Sequence, residues 1–460
     1  MNFEIGNLGL IKNAAVNVSD FTIICGKNNT GKSYLTHSFY GALDFVRGID
    51  WLTIEDAAMK ELQDTGTCNI DIMAVVRSAV KPLSAVYNEA LINVMPKFLG
   101  ATKNVCKKGF YVSLKILQQT VDKIDTTISN IEYEFPVRFH EGYSLIVKKE
   151  RKSSLLTIRY VPGETRFNVQ SGVSLKMPAS IVANAQWVVS VLVRTRLPRP
   201  FIIGSERTGV SVFRNEFNFF RAIAFDKGIV ADNVNQLRER LMMRDYPIAI
   251  KKDMEFSLQL QSVVKEPGFL SKKEAFVSAF KEIVGGTYSV DKDTGLVSFN
   301  PNGSGDKLSI TESSSSVRSL CELYFYAMYI ARRGDVLILD EPEMNLHPES
   351  QRKLARLLAM LPKYNIRVFV TTHSDYIIRE VNALVRLAQI DEPSQGIVLK
   401  KYGYDKMSLL DRMRVNIYVV NNGVVDKVDF DESVRGFMVP SFDATIESFN
   451  QMYSLIQELD

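Results

Sequence analysis

The sequence is short of the features that would take it out of the ordinary water-soluble class. Its four cysteines, Cys25, Cys68, Cys106 and Cys321, show no CxxC spacing and no neighbouring histidine pair, which argues against a thiolate zinc module. A reducing, cytoplasmic setting is therefore expected. The most apolar run, Ile181 to Val193, is short and interrupted by Asn184 and Gln186, so it is expected to be a buried helix and no membrane partner is expected. Met1 to Leu10 lacks the charged-then-apolar pattern of an export signal. No internal repeat and no long heptad array occurs, and the only biased tract is four serines, Ser313 to Ser316. The net charge is only +4, which neither demands nor excludes nucleic acid, because a local basic patch can bind phosphate in a nearly neutral chain.

What is present is enough chain for two or three domains, or for one domain with large insertions: 460 residues, of which 46% are hydrophobic. Short strands are expected around Phe3 to Ile5, Ala14 to Val18 and Phe21 to Cys25, with helical spacing from Leu35 through Phe45. From Trp51 to Leu99 the apolar spacing is mostly helical, with breaks or kinks expected at Pro82 and Pro96. Tyr143 to Val147 and Leu155 to Tyr160 read as a hairpin with Lys148, Lys149, Arg151 and Lys152 at its tip. Beyond Pro198 and Pro200, a strand at Phe201 to Gly204 precedes helices between Glu216 and Phe280 and a strand pair from Tyr288 to Phe299. Then Ser316 to Ala331 reads as helix, Val336 to Leu339 as strand, Pro348 to Met360 as helix and Val368 to Thr371 as strand. That alternation implies an α/β fold with a parallel sheet. A hairpin around Asn421, Asn422 and Gly423 and an amphipathic helix close the chain.

Two segments carry chemistry. Gly26, Lys27, Asn28, Asn29, Thr30, Gly31, Lys32 and Ser33 fit GxxxxGK[ST] at every fixed position, directly after one expected strand and before a helix. Glycines let successive N–H groups curl toward phosphate oxygens, and the helix that follows adds its positive end. Lys32 is then placed to reach the β and γ phosphates and Ser33 to ligand Mg2+. At average residue frequencies such a match arises in about one random chain in fifty to a hundred. The second segment is the apolar run Val336 to Leu339, which ends in Asp340 and Glu341. Carboxylates at the end of a parallel strand lie where such sheets bind ligands. Asp340 is the expected holder of Mg2+ and Glu341 the expected base for an attacking water. His373 follows the next apolar strand and offers an imidazole at the same edge.

Taken together, these motifs resemble the ATPase heads shared by ABC transporters, SMC proteins, RecF and OLD-type proteins. LILDEPEMNLHPESQ, Leu337 to Gln351, is similar to their Walker B and D-loop segment, and the TTHSD that contains His373 to their switch histidine. The resemblance covers the first forty residues and about 201–380. It implies an ABC/SMC-like P-loop NTPase: an N-terminal lobe at 1–48, a mainly α-helical insertion with a hairpin at 49–199, a C-terminal lobe at 200–400 and a small extension at 401–460. It also implies that Ser314, Ser315 and Ser316 stand for the signature that meets the γ-phosphate of a second subunit, although a plain helix N-cap fits the same residues. Tyr34 falls within the nucleotide-contacting run. Arg207, in GSERTGV, is either a phosphate-compensating residue beside Glu206 or half of a surface ion pair.

The chain distance from Lys32 to Asp340 is far more than a compact transporter ATPase needs. Proline-broken helices do not fit the coiled coil of SMC proteins. The build resembles stand-alone ATPases of bacterial anti-phage cassettes, such as PtuA of the Septu system. No Toprim nuclease is evident, since Asp429 and Asp431 read as turn acids. The resemblance implies ATP and Mg2+ as ligands, a homodimer or higher oligomer with ATP at its interface, and a separate nuclease or toxin as effector. The alternative is a RecF-type repair ATPase that clamps DNA through Lys103, Lys107, Lys108, Lys115, Lys148, Lys149, Arg151 and Lys152.

Overall fold

The computed structural model describes residues 1–48, 54–80, 85–100, 103–116, 118–140, 142–162, 180–213 and 246–459. Two units emerge. One comprises Met1–Asn2, Asp44–Asn88 and Leu114–Arg199, the other Phe3–Leu43, Glu89–Ser113 and Pro200–Asp460.

In chain order, β1 (Asn2–Leu8), β2 (Ile11–Asn17) and β3 (Phe21–Gly26) lead into α1 (Lys32–Gly48). There follow α2 (Asp56–Thr65), β4 (Thr67–Asp71), α3 (Ile72–Val80), α4 (Ala85–Phe98) and β5 (Cys106–Lys115). Next come α5 (Gln118–Ser129), β6 (Tyr133–Arg138), β7 (Tyr143–Lys149), β8 (Leu155–Pro162) and α6 (Ile181–Arg194). β9 (Arg199–Ile203) precedes α7 (Arg207–Val212), α8 (Ile248–Val263), α9 (Glu274–Val284) and the small sheet β10 (Gly286–Val290), β11 (Val297–Pro301) and β12 (Leu308–Ser309). α10 (Ser315–Phe325), continued by a π-helical turn at Tyr326–Ile330, leads to β13 (Asp335–Asp340), α11 (Pro348–Met360), β14 (Arg367–Thr372), α12 (Asp375–Leu387) and α13 (Glu392–Tyr402). The chain ends with β15 (Val415–Asn421), β16 (Val424–Val428), β17 (Phe430–Asp431), β18 (Gly436–Phe437) and α14 (Pro440–Leu459).

Nine strands form one sheet in the order β5-β1-β2-β16-β15-β3-β14-β13-β9. Within it β15, β3, β14 and β13 are neighbours and run parallel. β3 and β13 are buried at every position, as strands covered on both faces must be. Helices supply the cover: Phe39 of α1 packs between Phe3 and Phe369, and Leu354, Leu357 and Leu358 of α11 share a core with Ile23, Leu337, Leu339, Val368 and Val370 of the strands. The C-terminal hairpin is not appended to this sheet but built into it. β15 lies directly beside β3, with Val420 opposite Gly26.

The other unit carries a four-stranded antiparallel sheet, β4-β8-β7-β6, so the expected hairpin is the centre of something wider. Cys68 and Ile70 of β4 face the core, and pairing with β8 overrides the helical spacing read there. α6 buries Ile181, Ala185, Val188, Val189 and Val193 in the same core, the buried helix anticipated for the most apolar run. In the unit of the nine-stranded sheet, α4 runs through Pro96, which sits in its last turn, and buries Leu91 and Met95. Pro82 and the part of the helical reading over 216–245 lie outside the described residues.

Among the described residues no helix is long and apolar enough to cross a membrane. None of the four cysteines forms a disulfide, and burial pushes the thiols of Cys25 and Cys68 up to about 12.

Candidate nucleotide-binding site

Parallel register brings the two motifs together. Thr372 of β14 lies opposite Cys25 of β3, and Thr371 opposite Asp340 of β13, so the glycine loop, the acid pair and His373 leave three adjacent strands at one edge. Gly26 turns the chain with φ +147°, and a Cβ there would lie 2.7 Å from the carbonyl oxygen of Val420, so only glycine fits. Asn29 follows in the left-handed region at φ +59°, which asparagine tolerates best after glycine, and Gly31 at +98° closes the curl. Lys27, Asn28 and Asn29 are exposed, Thr30, Gly31 and Ser33 half-buried. The buried Lys32 ammonium donates to the carbonyls of Gly26 and Lys27 at 3.1 and 2.7 Å. Burial lowers its pKa against the opposing pull of Glu341 and Asp340. Tyr34 lays its ring against Gly9, where a Cβ would come within 2.5 Å of it.

At the other strand ends, Thr371 Oγ1 donates to Asp340 Oδ1. That leaves Oδ2, buried and without a hydrogen-bond partner, 3.9 Å from the imidazole of His37. Glu341 adopts φ +48°, left-handed for a residue with a Cβ, and its Oε1 meets His373 Nε2 at 2.8 Å. This hydrogen bond, and behind it the charges of His373, Lys32 and Arg207, hold the Glu341 carboxyl below the usual range although burial opposes them. His373 is itself fixed: Glu343 Oε1 accepts from its backbone N–H at 2.6 Å and from Thr372 Oγ1 at 2.8 Å.

A hard cation fits this donor set. Ser33 Oγ and the orphaned Asp340 Oδ2 are oxygen ligands of the kind Mg2+ takes, and a bound ion would neutralise charge on phosphate oxygens. Among the described residues no group of three or more His, Cys, Asp or Glu side chains is arranged to hold a metal. Asp431 Oδ1 instead caps a turn, accepting from Ser433 N, Ser433 Oγ and Val434 N.

One expectation changes. Arg207 is neither a phosphate-facing cation nor part of a surface ion pair: it is buried, and all five of its N–H groups are taken by protein oxygens, those of Gly204 O, Ser319 O, Ser319 Oγ, Asp340 O and Glu341 O. Ser314 is the N-cap of α10, its Oγ accepting from Val317 N and lying 2.8 Å from Ser316 Oγ. Ser314 and Ser315 are exposed and Ser316 is half-buried. His37, Glu343, Thr371, Thr372, Ser319 and the buried carboxyls Asp253 and Glu322 escaped sequence reading. Of these, Glu343 lies two residues past Glu341 and Thr371 and Thr372 lie in TTHSD, whereas the others had no local signal.

A glycine loop between a buried parallel strand and a helix, with an acid pair and a histidine ending the two neighbouring strands, is the arrangement of a P-loop nucleotide-binding α/β fold. Residues 176–379 match the family described as "AAA domain, putative AbiEii toxin, Type IV TA system", a span that includes Arg207, the serines, the acid pair and His373 but not the glycine loop. No curated protein matches the sequence. Among solved structures, the chain is similar to an Smc head domain with an extended coiled coil bound to the C-terminal domain of ScpA from Pyrococcus furiosus, at 11% identity and TM-score 0.32, covering 98% of each chain. It is also similar to an SMC head domain from Thermotoga maritima, at 12% identity and TM-score 0.31, covering 94% of this chain and 98% of that one.

Proposed function

We propose that the chain binds ATP with Mg2+ and hydrolyses it, as the sensor and regulatory subunit of a bacterial anti-phage defence complex. ATP sits between two copies, in a homodimer or an assembly built from it, and nucleotide state controls a separate nuclease or toxin. The observation that carries hydrolysis is the Glu341–His373 pair at the strand edge that also bears the phosphate loop. A carboxylate fixed beside an imidazole can orient and deprotonate water, and the imidazole can hydrogen-bond a γ-phosphate. Lys32, Ser33 and Asp340 take the phosphate and metal roles. The description of the matched family, which names a putative toxin of a toxin–antitoxin system, supports the defence setting. Exposed Ser314 and Ser315 support completion of the site by a second copy.

Purified protein turning over ATP, and retaining the product of a neighbouring gene in one nucleotide state only, is the expected result. Absence of turnover with Mg2+ would sink the enzymatic reading.

A RecF-type DNA clamp is the second reading, favoured by exposed Lys107, Lys108, Lys148, Arg151 and Lys152. Duplex binding that falls steeply with salt is its signature. Indifference to DNA at low salt removes it.

A further inference from the structure

We infer that Arg207 is a positioning residue that clamps the backbone of Glu341 to helix α10, so that the serine end of α10 and the Glu341 carboxylate move as one body. The inference rests on the hydrolytic reading proposed above and adds to it the part that links the two halves of the site.

Glu341 occupies a backbone region that a residue with a Cβ holds only when its surroundings over-determine it. Here both flanking peptides are held. Its N–H donates to Thr371 O at 3.1 Å, and its carbonyl accepts from Arg207 Nη2 at 3.0 Å. The preceding carbonyl, that of Asp340, accepts from Nη1 at 3.1 Å. The peptide on the amino side of Glu341 is thus anchored by both β14 and Arg207, and the peptide on its carboxyl side by Arg207.

The remaining donors of the same guanidinium point the other way. Nε reaches Ser319 O at 2.9 Å and Nη2 reaches Ser319 Oγ at 3.1 Å, in the middle of α10. Ser319 Oγ in turn donates to Met344 O, so α10 is tied to the turn on the far side of Glu341 as well. Nη1 also bonds Gly204 O, which fixes the arginine to its own turn. α10 begins at the exposed serines, where a second copy's nucleotide would bear. A push on that end is transmitted through four hydrogen bonds, made by one planar and rigid group, to the peptide that aims the base. A lysine has one nitrogen and cannot bridge these acceptors. With no N–H left over, Arg207 does not itself reach phosphate.

The test compares wild type, Arg207→Lys and Ser319→Ala in ATP affinity, kcat and melting temperature. Misplacing a catalytic group by about 1 Å costs about a hundredfold in rate, so Arg207→Lys is expected to lower kcat by about that factor while ATP affinity stays within about twofold. Ser319→Ala removes two links, Arg207 Nη2 to Oγ and Oγ to Met344 O, and is expected to lower kcat about fivefold and to lower the melting temperature, with ATP affinity unchanged. An unchanged kcat in both variants overturns the inference, as does ATP affinity falling in step with kcat, which would mean contact with nucleotide. If Arg207→Lys does not fold, Ser319→Ala decides alone. Failure of the underlying reading is recognised separately: wild type then shows no turnover at all.

Discussion

At the scale of single residues, the phosphate loop was legible because its requirements are local. Gly26, Gly31, Lys32 and Ser33 are dictated by backbone curvature and by contact with phosphate, and both leave a fixed spacing in the sequence. Arg207 was misread because its role depends on burial, and nothing in GSERTGV says that Ser319 and Asp340 will close over it. The same contrast separates two substitutions. Lys32→Ala removes a buried cation whose charge-assisted bonds are worth about 1.5–3 kcal/mol each, so ATP affinity is expected to fall at least about tenfold in equilibrium titration. Glu341→Gln keeps the shape and a hydrogen bond to His373 but loses the base, so turnover is expected to fall by about a hundred- to ten-thousandfold with ATP still bound. Wild-type turnover in Glu341→Gln would remove Glu341 from the role of base.

At the scale of elements, periodicity located strands and helices but not their neighbours. β15 was seen as half of a hairpin, yet its place beside β3 follows from a parallel register that no local pattern encodes. The same holds where α8 meets α10. Asp253 of α8 and Glu322 of α10 are buried together with Arg207, and Asp253 accepts from Gly204 N with both oxygens, at 3.2 and 3.1 Å. Burial pushes the Asp253 carboxyl up to about 7, against the hydrogen bond from Gly204 and the charge of Arg207, while nearby Glu206 pushes it further. Burial and Asp253 likewise raise Glu322 well above the carboxylate range. A folded-state value above the unfolded value of about 3.9 means that the native state holds a proton the unfolded chain has released. Stability from this pair is therefore full below about pH 4 and declines as pH rises toward 7. Asp253→Asn cannot ionise and can donate to Glu322. Its melting temperature relative to wild type is expected to be higher at pH 8 than at pH 5, and a difference independent of pH would show that the pair does not share a proton.

At the scale of the whole molecule, the serine end of α10 and the basic surface are the two places where a partner would bear, a second copy at the first and nucleic acid at the second. Ser315 is exposed, so Ser315→Arg should alter stability by no more than about 0.5 kcal/mol. In a Glu341→Gln background it is expected to abolish the ATP-dependent dimer seen by light scattering while each subunit still binds ATP. A dimer that persists would place the second copy elsewhere. For nucleic acid, the charge run around the β7–β8 turn divides in a way the sequence hides. Lys149 is buried, its ammonium donating to Ile131 O and Glu150 O at 3.1 Å each, and burial lowers its pKa with Arg196 nearby. It is structural, and Lys149→Met should change the melting temperature without changing DNA retention. Lys148 is exposed but paired with Glu150 at 3.1 Å, which leaves Arg151 and Lys152 as the freely presented cations of that turn. If the chain clamps DNA there, Arg151→Glu with Lys152→Glu lowers the slope of log affinity against log salt by about two, one phosphate contact for each cation removed. If it does not, the slope is unmoved, and a regulator that recognises protein rather than nucleic acid is the reading that stands.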